Sequence, residues 1–364
     1  MEFPKNNIKE NKSVYGLFFL RQFFSCSAVV LNFFIFGLYM GATTVIVPQL
    51  RKEANSTDAV TPEMASWLSS ISSYSAIPWG FVLPLLAYRF GRKHLLVLVS
   101  VNVLVGNIVF YNSNNIKELI ISQAALGILV ASVMTVTVMV MSEYTSPKYR
   151  GIILTIKSAT FYWGVWVSNV IGTFYHWRNI AIVIFVCGIY NLSSVLCHES
   201  PYWLATKGRF DECANVHRWL KGTEEDSEEE LRKLISSQEE HLSTKNERNI
   251  KVPKHIKIFN ILKHKRFYKP FLYASLPMFL FNLSGKIVCT VYALDIIKKI
   301  TSSEKMAYEG MLILDAITVL VVGHWSLPAV VRLSYHPYDT EAIFSVVLHF
   351  WTTLYLQQYL KLRR

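Results

Sequence analysis

The chain has 364 residues, 52% of them hydrophobic and 17% charged, against the roughly 25% charge of an ordinary soluble domain. Its formal net charge of +12 sits in polar joints between oily runs, and no basic stripe interleaves with stacking aromatics in a soluble stretch, which argues against a nucleic-acid partner. The five cysteines form no CxxC pair or ladder of spacings, which argues against a disulfide framework or a zinc site.

The first dozen residues are polar and precede no short apolar core with a small-residue cleavage site, so no cleaved leader is expected. A helix that crosses a bilayer needs about 20 mostly apolar residues. Nine such segments are predicted, near 23–47, 65–87, 94–111, 118–141, 152–174, 179–197, 269–293, 307–328 and 342–359. The fold class expected is therefore all-α and polytopic, with the lipid bilayer as solvent. Residues 1–197 form a six-helix transmembrane bundle, 198–268 a polar helical linker, and 269–364 a partial second bundle.

Basic residues gather at the N-terminus (Lys5, Lys9, Lys12, Arg21), in the second loop (Arg89, Arg92, Lys93) and in the fourth (Lys148, Arg150, Lys157). In the first loop Arg51 and Lys52 are offset by Glu53, Asp58 and Glu63, and the third offers little beyond Lys117. The inside-positive rule then places the N-terminus and the linker in the cytoplasm. Asn55, in the acceptor tripeptide Asn55-Ser56-Thr57, falls in the first outer loop as a candidate glycosylation site.

Within the linker, Glu228 with Arg232 and Glu229 with Lys233 are i,i+4 pairs of favourable polarity. Cys213, Val216 and Leu220 make a weak amphipathic stripe between Arg209 and Lys221. A small bundle of surface helices is expected. The basic strip from Lys251 to Lys269 reads as an inside-positive flank of the seventh helix rather than a specific lipid site.

Short motifs sit at the joints. Phe90-Gly91-Arg92-Lys93 is a glycine–basic turn between the second and third segments, and Glu143 is followed by Arg150-Gly151 at the end of the fourth. Trp177-Arg178 precedes the sixth. Glu199-Ser200-Pro201, Trp203-Leu204 and Gly208-Arg209 follow it. In this order they resemble the signatures of the sugar porter branch of the major facilitator transporters, insect facilitated trehalose transporters above all.

The resemblance implies transport by alternating access, in which contacts at the cytoplasmic end are either made or solvated. Arg92, Lys93 and Arg150 would supply the cations of that gating network, and Glu143 and Glu199 the anions. The same charges also suit plain inside-positive flanks. Tyr88 stands where the family has an acid before the glycine turn, Gln123 where it has a fourth-helix arginine, and Tyr202 where it has the arginine of the linker motif. A thinned network is expected.

For the substrate, the resemblance points to Asn282 and Tyr292 of the seventh helix and Ser158 of the fifth, with Ile287 at a family asparagine position. Amides and hydroxyls suit neutral sugars because they donate and accept hydrogen bonds. The same residues also serve as helix-packing or interface groups. Lys286 and Asp315 are intramembrane charges on consecutive helices; pairing would spare each the ~3 kcal/mol or more of an isolated charge, and outward snorkelling of Lys286 is the alternative.

A full member of that family has two six-helix halves, whereas this chain carries the first half, the linker and two or three helices more, so a second half cut short is expected. The expected function is facilitative transport of a sugar, trehalose or a hexose, by a multi-pass plasma-membrane protein. The alternative is a transport-inactive member that only binds other membrane proteins. No enzyme, cofactor or metal site is expected, because the ten histidines are scattered.

Overall fold

The computed structural model describes residues 6–54, 60–247, 292–301 and 303–332, with scattered positions between 268 and 285. Asn55, Asn282, Lys286 and the last expected span lie outside them. Every regular element among the described residues is helical.

Helix α1 runs Asn6–Glu53, starting well before the expected 23. The residues ahead of the apolar run include Lys9, Glu10 and Lys12, good helix formers, and contain no proline after Pro4. Helix α2, Pro62–Phe90, opens with Pro62 after Thr61, whose hydroxyl accepts the Met64 N–H at 3.2 Å, a capped start that fixes the helix boundary. Helix α3 is Arg92–Asn112. The fourth span is broken into α4 (Ile116–Ala125), α5 (Gly127–Met134) and α6 (Val136–Tyr144). At the second break Thr135 bonds back to the Ala131 carbonyl at 2.7 Å, a contact that bends helices. Helix α7 is Pro147–Phe174, and α8, Arg178–Asn191, ends in a 3-10 turn over Leu192–Leu196.

Five of these spans are long and apolar enough to cross a membrane: Leu17–Glu53, Pro62–Phe90, Arg92–Asn112, Ile116–Tyr144 and Arg178–Leu196. Helix α7 is too polar to join them, and its packing explains why. Between 151 and 174 only Trp163 and Phe174 are exposed; the helix lies against α1 on one flank and a second-bundle helix on another. A helix covered by protein needs no lipid-facing stripe.

Its contact with α1 is closest where two glycines meet. A Cβ on Gly37 would overlap the Phe161 carbonyl, and one on Gly164 the Phe34 carbonyl. Small residues let helix backbones approach in a membrane, where packing rather than water expulsion drives association. Two apolar clusters fill the bundle. One, toward the α1 C-terminus, includes Tyr39, Val103, Phe110 and Trp177; the other, toward the linker, includes Leu83, Leu96, Val140 and Tyr144.

The linker carries α9 (Pro201–Thr206), α10 (Phe210–Lys221) and α11 (Glu225–Glu247). The expected stripe is present: Cys213 and Leu220 are buried and Val216 half-buried. Lys233 pairs with Glu229 at 2.6 Å as expected. Glu228 does not pair with Arg232. It takes Arg218 of α10 at 2.6 and 3.0 Å instead, because α10 packs on α11 and brings a guanidinium fork to the carboxylate. Leu220 reaches into the bundle core, and Gln22 of α1 ties the same end down. Its Nε2 donates to the Leu220 carbonyl at 3.2 Å, and its Oε1 accepts the Ser146 N–H at 2.9 Å.

The second bundle contributes α12, Ala293–Thr301, and α13, Glu304–Arg332. They pack on each other, and α13 lies along α7. Leu294, Ala307 and Met311 join the cluster that holds Trp177.

Candidate functional site

At the linker end of the bundle, Gly91 breaks the chain between α2 and α3 with φ at +96°. A Cβ here would overlap the carboxylate of Glu199, so glycine serves both the left-handed backbone and the close approach. Glu199 caps the start of α3: its Oε1 accepts the Arg92 N–H at 2.7 Å and the Ser200 N–H at 2.9 Å, and both oxygens lie 3.3 Å from the Lys93 nitrogen. A carboxylate at a helix N-terminus faces unsatisfied N–H groups and the positive end of the dipole.

The Arg92 side chain turns inward and is 4% exposed. Its Nε donates to Glu143 Oε2 at 2.8 Å, Nη2 to Oε1 at 2.6 Å, and Nη1 to the Ala87 carbonyl at 3.1 Å. This is a bidentate fork between the start of α3 and the end of α6. Ser200 completes it, donating its hydroxyl to Glu143 Oε2 at 2.6 Å while accepting the Trp203 N–H at 3.4 Å. Tyr144 donates to the His198 carbonyl at 2.8 Å. The cluster therefore fastens α2, α3, α6 and the first linker turn together.

Four of the five expected gating residues meet here: Arg92, Glu143 and Glu199 by their side chains, Lys93 by its backbone. Arg150 stands apart, with Nη2 on the Ser142 carbonyl at 3.0 Å. Among the described residues none of these contacts reaches the second bundle. Aromatic rings occupy two positions where the family has charges. Lys207 lies 4.7 Å over the Tyr88 ring, Trp203 Nε1 donates to the Tyr88 carbonyl at 3.0 Å, and Arg92 lies 6.0 Å from the Tyr202 ring, so both rings make cation–π contacts. Ser200 was missed by sequence reasoning, although its place beside Glu199 in the linker motif was a usable signal.

At the opposite end the Trp177-Arg178 pair locks the bundle. Trp177 is 1% exposed, gives its backbone N–H to Gln49 Oε1 at 2.9 Å and meets Phe110 edge-on. Arg178 donates to the carbonyls of Tyr111 and Ser113 at 3.2 and 2.7 Å.

Of the expected substrate residues, Ser158 and Tyr292 are described and Asn282 is not. Ser158, midway along α7, bonds back to the Leu154 carbonyl at 3.3 Å. Tyr292 is half-buried just ahead of α12, and no hydrogen bond joins the two. Asp315 of α13 accepts from Asn169 Nδ2 of α7 at 2.6 Å, a polar bridge between the bundles that the sequence did not signal. Its expected partner Lys286 is outside the described residues.

The family model described as "Sugar (and other) transporter" matches residues 25–332. The facilitated trehalose transporter Tret1 of Bombyx mori is 27% identical over 290 residues, covering 79% of this chain and 54% of the relative. Tret1 of Polypedilum vanderplanki is 24% identical over 287 residues, covering 78% and 54%. The chain spans about half the length of these curated relatives. Among solved structures, the proton:xylose symporter XylE bound to 6-bromo-6-deoxy-D-glucose aligns with a TM-score of 0.65 at 15% identity, covering 86% of this chain and 70% of that one. The inward open xylose transporter XylE from E. coli aligns at 0.56 and 14%, covering 81% and 66%. These alignments show the major facilitator fold.

Proposed function

The chain belongs to the sugar (and other) transporter family, and on that premise we propose that it carries a neutral sugar, trehalose or a hexose, across the membrane by alternating access. The observation that carries this reading is the position of α7. It lies between α1 and α13, covered on both flanks, with Asn169 on Asp315 across the bundle boundary. A polar helix enclosed between two bundles, rather than facing lipid, suits the wall of a solute path.

The reading assigns the Arg92–Glu143–Ser200–Glu199 cluster to the cytoplasmic side with the N-terminus and the linker, as the basic loops require. Its work is to make the linker root part of the first bundle, so that both move as one body when the path opens. Ser158 and Tyr292, with Asn282, stand as the sugar-contacting groups. The relatives support the substrate class, since the two Tret1 proteins are named for trehalose.

Uptake of labelled trehalose and glucose into vesicles reconstituted with the full chain tests it, beside Glu143→Ala. Entry above empty vesicles, reduced in the variant, supports the reading. No entry of either sugar removes it.

A further inference from the structure

Where α1, the end of α8 and the end of α10 meet, the protein has an open niche of about 250 Å³ lined by none of the proposed sugar-contacting residues. It lies toward the linker-side ends of two helical segments long and apolar enough to cross a membrane, in α1 and over Arg178–Leu196. Its rim is apolar and faces outward: Leu20 is 60% exposed, Phe24 42% and Leu196 76%. Its floor is two rings in tilted contact, His198 and Trp219, with centroids 4.6 Å apart.

Arg21 stands at the mouth. Its guanidinium is 5.1 Å from the Trp219 ring and spends one N–H on the Trp219 carbonyl at 3.1 Å. A guanidinium carries five N–H donors, and no carboxylate lies within ion-pair distance of this one among the described residues. The neighbouring cations of α10 differ, since Arg218 is held by Glu228 and Lys221 by Glu230 at 2.8 Å. Arg21 is therefore a fixed, partly desolvated cation with open donors, bordered by exposed hydrocarbon; in the transport reading this end of the bundle meets the headgroup layer.

That combination selects its occupant. A sugar would leave the cation uncompensated, and a small soluble anion would leave the apolar rim uncovered. We propose that this niche seats an anionic phospholipid of the adjacent leaflet, with the phosphate on the Arg21 guanidinium beside His198 and an acyl chain against Leu20, Phe24 and Leu196. Phosphate oxygens match the fork of an arginine, and the volume holds several times the ~30 Å³ of one water molecule. Lysines would give a diffuse attraction to any anionic surface; an arginine pinned on an indole gives one address.

The test is native mass spectrometry of the delipidated full chain in detergent, with palmitoyl-oleoyl phosphatidylglycerol, the matching phosphatidylcholine, or inorganic phosphate added. The expected result is one retained phosphatidylglycerol, favoured over phosphatidylcholine. Retention falls about tenfold in Arg21→Gln, the weight of a lost charge-assisted contact. Leu196→Trp fills the rim from an exposed position and also lowers retention, which keeps the test valid if Arg21→Gln folds poorly. Lys233→Gln, on the far linker helix, changes nothing. Equal retention of both lipids, retention unaffected by the two niche variants, or displacement of the lipid by inorganic phosphate alone would each overturn the proposal. Sugar uptake is not the readout, so this result stands or falls apart from the transport reading.

Discussion

Asn169 of α7 and Asp315 of α13, 146 positions apart in the chain, share a 2.6 Å hydrogen bond across the boundary between the two bundles. The amide donates and the carboxyl accepts, so a neutral side chain of one bundle meets an acid of the other. A contact of this kind is made in one arrangement of two bundles and lost when they separate.

Asn169→Leu would leave the acid without this donor, at a cost of about 1.5–3 kcal/mol borne only by the state in which α7 and α13 are in register. Uptake of labelled trehalose by the reconstituted chain should then fall roughly tenfold or more. Asp315→Asn keeps an acceptor oxygen and should retain most of the rate. Unchanged uptake in Asn169→Leu would take this bond out of the transport cycle.

The Arg92–Glu143 fork is buried, with side chains 4% and 10% exposed. Removing one partner strands the other, which costs about 3–5 kcal/mol, whereas replacing both with apolar groups of similar volume is often neutral. Arg92→Met and Glu143→Met should each lower the thermal midpoint in detergent, and the double variant should recover most of the loss. A double variant as unstable as the sum of the singles would show that the pair does not act as a unit.

Gly91→Ala forces a Cβ onto a residue at φ +96° and into the Glu199 carboxylate. The backbone alone, in a φ/ψ region that only glycine adopts freely, costs about 1–3 kcal/mol. Loss of the α3 cap adds to it. A midpoint within error of the parent would show that the turn relaxes without strain.

His217 of α10 is 1% exposed, and burial first, then Lys221, pushes its pKa down to about 4, with Glu230 and Glu228 acting the other way and Arg218 adding to the depression. A histidine held neutral by the fold contributes full stability above its unfolded value of about 6.5. Between pH 6.5 and 4 the unfolded form binds the extra proton, so that stability is lost as pH falls, up to roughly 3 kcal/mol. Limited proteolysis of the linker helices in the full chain should accelerate between pH 7 and 5, and His217→Leu should flatten the response. Equal rates at both pH values in the parent would remove His217 as the cause.

Much of the architecture was legible beforehand. Oily runs marked α2, α3 and α8 to within a few residues, because a bilayer leaves few other structures available. The glycine turn, Glu143 and Glu199 were readable as a group since each sits at a helix end in a recognisable short motif. Other features had no local signal. Asn169 is one of many polar residues in α7, and nothing near it in the chain says that it faces α13. Glu228 looked paired within its own helix until tertiary packing supplied Arg218. Arg150 looked like a member of the cluster because it shares a short motif with Glu143, but from the first turn of α7 it donates to the Ser142 carbonyl instead.

Gln22 joins three parts that are distant in the chain: the base of α1, the turn before α7 and the last carbonyl turn of α10. A lever bolted at its root cannot swing there. Whatever displacement the first bundle undergoes, the neighbouring end of α10 is carried along as cargo, and substituting this one amide should convert a rigid mount into a loose bearing.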